Sequence, residues 1–223
     1  MVYIGIPTVN LQRYLEQTIN SIVMELPWRL LLVDNLSTDG TREWIQNSEY
    51  QSVLNPANFG VAKSWNQIIT WAMSHDDCDA IYMLNNDIVL HPEAFNKMNE
   101  SLLEKNKEVI SGLNIGTDPE VLKTFSVDSI VERYSPNVNF SCFGLVPETV
   151  KRVGLFDEAF KIAYFEDNDY HTRLKNAGIG GSCDQWAWFS HYGSRTIKEG
   201  GVKHSAAFEN NKAYFKRKWG WLP

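Results

Sequence analysis

The chain predicts an α/β fold around one mainly parallel central sheet, on three observations. Strand and helix alternate from Val2 to Pro92, and repeated strand–helix units imply parallel strands joined by crossover helices. Leu30 to Val33, within LLLVDNLSTDGT at residues 30–41, is an unbroken apolar run, the mark of a strand buried on both faces. Two such runs end in polar residues, at Asp34-Asn35 and at Asn85-Asn86-Asp87. That puts oxygen-bearing side chains at the carboxyl ends of strands, where open α/β sheets bind ligands.

The elements follow in order. Val2 to Ile6 reads as a strand closed by Pro7. Leu11, Leu15, Ile19, Ile22 and Val23 recur at helical spacing. After the strand at 30–34, Ser37, Thr38 and Asp39 offer N-cap oxygens for a helix at 40–47. Tyr50 to Leu54 is a third strand, ended by Asn55-Pro56. Val61 to Met73 places Val61, Trp65, Ile68, Ile69 and Ala72 on one helix face, and Ala80 to Leu84 is a fourth, buried strand. Pro92 suits the first turn of a helix. In the second half, Val109 to Leu113 and Val138 to Val146 read as strands and Pro147 to Val153 as a helix, while 114–137 has no clear period. The acidic run FEDND at 165–169 leads into a helix ending near Gly178, and Ala206 to Trp219 is a last helix.

With 223 residues, one domain with a substantial core is expected. Three cysteines, Cys78, Cys142 and Cys183, are an odd number without metal spacing, which favours a reduced, cytoplasmic protein. Met1 to Pro7 reads as a strand rather than a signal peptide. No apolar run approaches the roughly 20 residues of a membrane span, so any membrane contact would be peripheral. The net charge of −6 argues against duplex DNA as the main partner. Residues 195–218 carry seven Lys or Arg against two Glu, a local +5 on a remainder of −11. Such a tail suits either a phosphate-bearing ligand or a solvated helix face.

Three constellations bear chemistry. Asn85-Asn86-Asp87 is an oxygen-rich turn that suits Mg²⁺ or Mn²⁺, which take hard ligands and keep positions open for phosphate; an Asx turn before a helix explains it equally. Glu166, Asp167 and Asp169 pack three acids into four positions. Mutual repulsion raises at least one pKa unless a cation or a helix N-terminus intervenes, and helix capping accounts for one or two of them. His191, in WFSHYGSRT at 188–196, stands after an apolar run, either as a structural residue at a strand end or as a ligand. No Ser or Cys nucleophile with its base is readable.

Taken together, these segments closely resemble family 2 glycosyltransferases. LLLVDNLSTDGT resembles the family's nucleotide-binding segment, LNND at 84–87 a variant of its metal-binding DXD motif, and YFEDND its ED-x-D segment. FSHYGS resembles an H-x-G-S segment of related enzymes. Pro7-Thr8-Val9-Asn10 resembles the opening P-T-x-N turn, and Asn58, Gly60 and Asn66 in NPANFGVAKSWNQ fit N-x-G-x-x-x-x-x-N. The resemblance spans about residues 2–219 and rests on the order of the motifs.

It implies the GT-A fold: a Rossmann-like nucleotide-sugar-binding half, 1–110, merged with an acceptor-binding and catalytic half, 111–223. It implies inverting transfer of a hexose from a nucleotide diphosphate sugar, a UDP-sugar first, to a glycan or other hydroxyl-bearing acceptor. Asp167 would be the general base, with Glu166 and Asp169 positioning the acceptor or its loop. Asp34 would hold the nucleobase; Pro7, Thr8, Asn10, Asn58, Gly60, Lys63, Asn66 and Asn86 would line the donor. Asp87 and His191 would hold Mn²⁺ or Mg²⁺, and Ser194, Arg195 and Lys198 would lie on a nearby loop. Only Asp87 keeps a carboxylate in the metal motif, which weakens Asn85 as a direct ligand. A sugar nucleotidyltransferase and a non-catalytic sugar-binding protein are the rivals. The first would carry a Gly-rich phosphate loop after the first strand, where this chain has IPTVNLQRYL.

Overall fold

The computed structural model describes residues 1–125, 137–193 and 205–223. The strands among them are β1 (Val2–Thr8), β2 (Trp28–Asp34), β3 (Gln51–Leu54), β4 (Ala80–Leu84), β5 (Ile88–Leu90), β6 (Val109–Asn114), β7 (Cys142–Leu145) and β8 (Ser182–His191). They form one sheet in the order β3-β2-β1-β4-β7-β6-β8-β5. β1 runs parallel to β2 and β4, with Ile4 opposite Leu30 and Tyr82, and β2 runs parallel to β3. β7 is antiparallel to β4 and β6, β8 is parallel to β6, and β5 is antiparallel to β8. All strands but β5 and β7 therefore end on one edge, at Thr8, Asp34, Leu54, Leu84, Asn114 and His191.

The helices are α1 (Gln12–Asn20), α2 (Thr41–Asn47), α3 (Val61–Met73), α4 (Ala94–Asn99, continued by a π-turn at Glu100–Glu104), α5 (Val121–Thr124), α6 (Pro147–Val153), α7 (Glu166–Asn176) and α8 (Ser205–Trp219). Strand side chains alternate between faces, and the two cores follow that alternation. Ile4, Ile6, Leu30 and Leu32 pack with Leu15 and Ile19 of α1 and Phe95 and Met98 of α4. Tyr3, Leu31 and Val33 face the other way, against Trp65, Ile68 and Ile69 of α3 and Tyr170 and Leu174 of α7. Every residue of β4 is buried, as a central strand covered on both faces requires.

The expected GT-A type α/β architecture is the one found: a mixed, mostly parallel sheet with helices on both sides. Several boundaries differ for local reasons. The strand read at 138–146 shrinks to β7, because Asn139 closes a turn: its Oδ1 accepts from the Ser141 amide at 3.0 Å, and its own amide donates to Ser111 Oγ at 2.8 Å. β5 was not anticipated. Three residues are too few to show a period, and its partner in β8 lies about a hundred residues on, with Ile88 opposite His191. α1 begins after Leu11, which is left-handed at φ 68° and donates its amide to Asp39 Oδ2 at 2.6 Å. The N-cap position of α2 is Gly40 at φ 97°, with Asp39 Oδ1 behind it accepting from the Thr41 amide and hydroxyl. Pro92 lies just ahead of α4 rather than within it.

Candidate active site

The carboxyl edge of β1, β2 and β4 is drawn together by short polar links. The Asn10 amide donates to Ser37 Oγ at 2.7 Å, and Asn10 Oδ1 accepts from the Thr38 amide at 2.7 Å. Asn86 Nδ2 donates to Thr8 Oγ1 at 2.8 Å, which in turn donates to the Asn10 carbonyl. Asn10, Leu11 and Leu36 all hold positive φ, a cost of order 1–3 kcal/mol each that persists only where the surroundings enforce it. Thr8, Asn10 and Asn86 thus share one network, with Pro7 beside them.

Asp34 ends β2 at the same edge. Its side chain is fully buried, with Oδ2 2.6 Å from Arg42 NH1 and both oxygens facing the Ser37 amide at 3.2 and 3.3 Å. Arg42 also donates to the carbonyls of Asn55 and Leu54. With no exposed oxygen and a guanidinium partner, Asp34 fixes the turn after β2. Nothing in the sequence marks Arg42 as its partner.

Two residues of the 55–67 segment are engaged by the chain itself. A Cβ on Gly60 (φ +85°) would lie 2.5 Å from the Ile162 nitrogen and 2.7 Å from its Cα. The backbone that approaches this glycine is the chain's own. Asn66 is buried and saturated: Nδ2 donates to the Phe156 carbonyl and to Glu158 Oε1, both at 2.9 Å, and Oδ1 accepts from the Phe156 amide at 2.8 Å. Both residues clamp α3 to the segment before α7. Lys63 Nζ stands 3.2 Å from Glu158 and is half-exposed, and Asn58 Oδ1 accepts from the Gly60 amide at 3.0 Å.

Asp87 and His191 meet although 104 residues separate them, because β5 pairs with the end of β8. His191 Nε2 lies 3.0 Å from Asp87 Oδ1, and the Tyr192 amide donates to the Asp87 carbonyl. The contact is a hydrogen-bonded His–Asp pair, and its carboxylate and imidazole are the side chains that would hold a divalent ion here. Among the described residues no third His, Cys, Asp or Glu joins them, which would leave further positions to phosphate oxygens and water. The backbone N–H of Asn85 donates to the Ser141 carbonyl at 2.8 Å.

The acidic cluster at α7 splits three ways. Glu166 is buried, its Oε2 lacks any hydrogen-bond partner, and burial, reinforced by the Asp167 charge, pushes its pKa up to about 8. Asp167 is partly buried; burial raises its pKa despite the Asn168 amide, which donates to Oδ1 at 2.8 Å, and the nearby His171. A carboxylate of raised pKa holds an accepted proton better. Asp169 is fully buried and faces away from solvent. Its oxygens take Arg173 Nε at 2.9 Å, Trp219 Nε1 at 2.9 Å and Lys218 Nζ at 2.7 Å. These contacts fasten α8 to α7.

Asp167 opens into a pocket of about 400 Å³ that also takes in Asn114, Asn139, Asn168 and His171. His171 carried no functional expectation; its i+4 spacing from Asp167 was the available sign. The loop ahead of Asp167 is strained, with Ile162, Tyr164 and Phe165 at φ 65°, 81° and 72°. Buried Asn211 of α8 pins it, donating to the carbonyls of Lys161, Ala163 and Tyr164 at 2.9, 3.0 and 3.1 Å and accepting from the Lys161 amide at 3.0 Å. The legible sign was an amide in the apolar stripe Phe208, Asn211, Phe215. Ser194, Arg195 and Lys198 lie outside the described residues. Trp186 is exposed near the start of β8, and Trp188 is buried.

A mixed sheet that gathers an Asp–His pair, a polar turn network and a basic carboxylate at one edge has the layout of the GT-A class. The match of the Glycosyl transferase family 2 model to residues 3–170 gives the narrower assignment: the chain belongs to that family. A galactofuranosyl glycosyltransferase of Leishmania donovani is 30% identical over 98 residues, 44% of this chain and 23% of that protein. Among solved structures, GalNAc-T7 with UDP, GalNAc and Mn²⁺ superposes with a TM-score of 0.72 at 12% identity, covering 98% of this chain and 48% of that one. The mannosyltransferase PcManGT from Pyrobaculum calidifontis, in complex with GDP-Man and Mn²⁺, gives 0.64 at 15% identity, covering 100% and 76%. The chain thus spans about a quarter of that curated relative and about half of GalNAc-T7.

Proposed function

We propose that the protein is an inverting glycosyltransferase that moves a hexose from a nucleotide diphosphate sugar, a UDP-sugar first, to an acceptor hydroxyl. The observation that carries this reading is the pocket at Asp167: a partly desolvated carboxylate opening into a polar cavity at the sheet edge that also holds the Asp87–His191 pair. In an inverting transfer one carboxylate takes the acceptor proton as the hydroxyl oxygen attacks the anomeric carbon and the nucleoside diphosphate departs from the opposite face. Asp167 has the exposure and raised basicity for that step, whereas Glu166 is protonated near neutrality and Asp169 is ion-paired.

Asp87 and His191 would hold Mn²⁺ or Mg²⁺, which would offset the charge of the leaving diphosphate. Pro7, Thr8, Asn10, Asn86 and Asn58 would border the donor in the 1–110 half, with Lys63 available to a phosphate, and 111–223 would serve the acceptor. One similar structure holds UDP and another GDP-Man, so the choice of uracil rests on the sequence resemblance. Three unpaired thiols suit a reducing, cytoplasmic setting, and among the described residues no helix is long and apolar enough to cross a membrane; any membrane contact would be peripheral. A nucleotidyltransferase or a non-catalytic binder gains no support from the site.

Asp167→Asn decides the matter. The amide oxygen can still accept from the Asn168 amide, so the fold survives and only the basicity goes. Transfer from a UDP- or GDP-hexose should fall about 10²–10⁴-fold while nucleotide affinity by calorimetry holds. Undiminished transfer by the variant would refute the role of Asp167.

A further inference from the structure

We propose that a bulge in β8 carries a second sugar-binding site, on the opposite face of the sheet from Asp167. Its ligand follows from the transferase reading: a sugar unit of a glycan chain, remote from the reacting hydroxyl and stacked on Trp186.

β8 breaks its register with β6 abruptly. Gly112 stands opposite Asp184, yet the next residue, Leu113, stands opposite Trp188, so Gln185, Trp186 and Ala187 form an outward excursion. Bulges of this kind re-aim side chains. Gly112 makes room for it, since a Cβ there would lie 2.8 Å from the Ala187 carbonyl oxygen. Side chains fix the shape. Asp184 Oδ1 accepts from the Trp186 amide at 2.9 Å and Oδ2 from the Ser101 hydroxyl at 2.6 Å, while the Trp188 indole N–H donates to the Gln185 carbonyl at 2.7 Å. The excursion so held leaves Trp186 41% exposed. Protection of a sheet edge calls for charge or proline at such a place, not for the largest apolar side chain.

Trp186 borders a cavity of about 560 Å³ together with Ser101, Lys105, Lys107, Asp184 and Gln185, a volume in the range of small-ligand sites. Ser101 and Lys105 belong to the π-turn after α4, which covers one face of the sheet. Asn168 and His171, in the wall of the Asp167 pocket, belong to α7 on the other face. An aromatic face rimmed by hydroxyl, amide, ammonium and carboxylate groups matches a pyranose, whose C–H face is apolar and whose hydroxyls both donate and accept. A protein partner would want an apolar surround for such an anchor, and Lys105, Lys107 and Asp184 deny it.

The place in the sheet gives the site its use. Among the described residues β5 pairs only with Phe189–His191 of β8, so the strand before Trp188 has a neighbour on the β6 side alone. Cys183 borders both cavities, which therefore adjoin at β8. A chain held at Trp186 lies within reach of Asp167 for an oligosaccharide, and would give the enzyme a second grip on a long acceptor.

Saturation-transfer NMR and calorimetry on the full chain test the site with tetrasaccharides of glucose, galactose, mannose and N-acetylglucosamine. At least one should bind. Trp186→Ala should weaken it about tenfold with Tm unchanged, and Trp186→Phe, which keeps a ring, should bind more tightly than Trp186→Ala. Absence of binding by all four, or binding that Trp186→Ala leaves unchanged, overturns the proposal. Calorimetry with UDP or GDP separates the site from the reading it rests on. Trp186-dependent binding without nucleotide affinity sinks the transferase and keeps the site, whereas nucleotide binding and transfer without Trp186-dependent glycan binding sink the site alone.

Discussion

Replacing Glu166 with Gln should remove a pH-dependent weakness built into the first turn of α7. The side chain is buried, and its pKa rises from 4.5 to about 8. Between those values the folded state holds a proton that the unfolded chain releases. Stability is therefore full below about pH 4.5 and is lost as pH rises toward 8. At 1.36 kcal/mol per pH unit, the window from 4.5 to about 8 amounts to at most about 5 kcal/mol. For a domain of this size 1 kcal/mol moves Tm by roughly 2–4 °C, so the loss should reach roughly 10 °C. Glutamine resembles the protonated acid in shape and cannot ionise. Melting by circular dichroism at pH 5, 6, 7 and 8 should show the wild-type Tm falling relative to the variant by that amount. A difference between the two proteins that is independent of pH would refute the argument.

Two further outcomes test the rest of the site. Asp87→Ala should abolish any strengthening of nucleotide binding by Mn²⁺, read by calorimetry with UDP or GDP; a retained metal response would dismiss the Asp87–His191 pair as ligands. Asn211→Ala strips four hydrogen bonds from a strained loop and should cost about 3 kcal/mol in urea denaturation. It should also lower kcat with nucleotide affinity unchanged, whereas wild-type kcat would show that the loop holds its shape without the clamp.

Much of the fold was legible because it rests on period and burial. α3 and α6 run from Val61 to Met73 and from Pro147 to Val153 as their spacing predicts, and β4 coincides with its apolar run. β5 escaped notice because short strands owe their existence to a distant partner. The polar residues were harder for a related reason. Asp34, Gly60, Asn66 and Asp169 were visible as unusual, yet only tertiary structure shows what each touches: Arg42, Ile162, Phe156 and the end of α8. Asp87 and His191 could be named separately, but the β5–β8 pairing that joins them could not be read from either segment.

The clamp from α8 has a consequence for how the protein is made. Residues 161–165 are translated some fifty positions before Asn211, which contributes four hydrogen bonds to the backbone of this loop. On the ribosome, the sheet edge and the Asp87–His191 pair can assemble while the Asp167 loop still lacks its template. Donor binding and transfer are then expected to mature at different times, so a nascent chain halted before α8 would bind a nucleotide without turning it over.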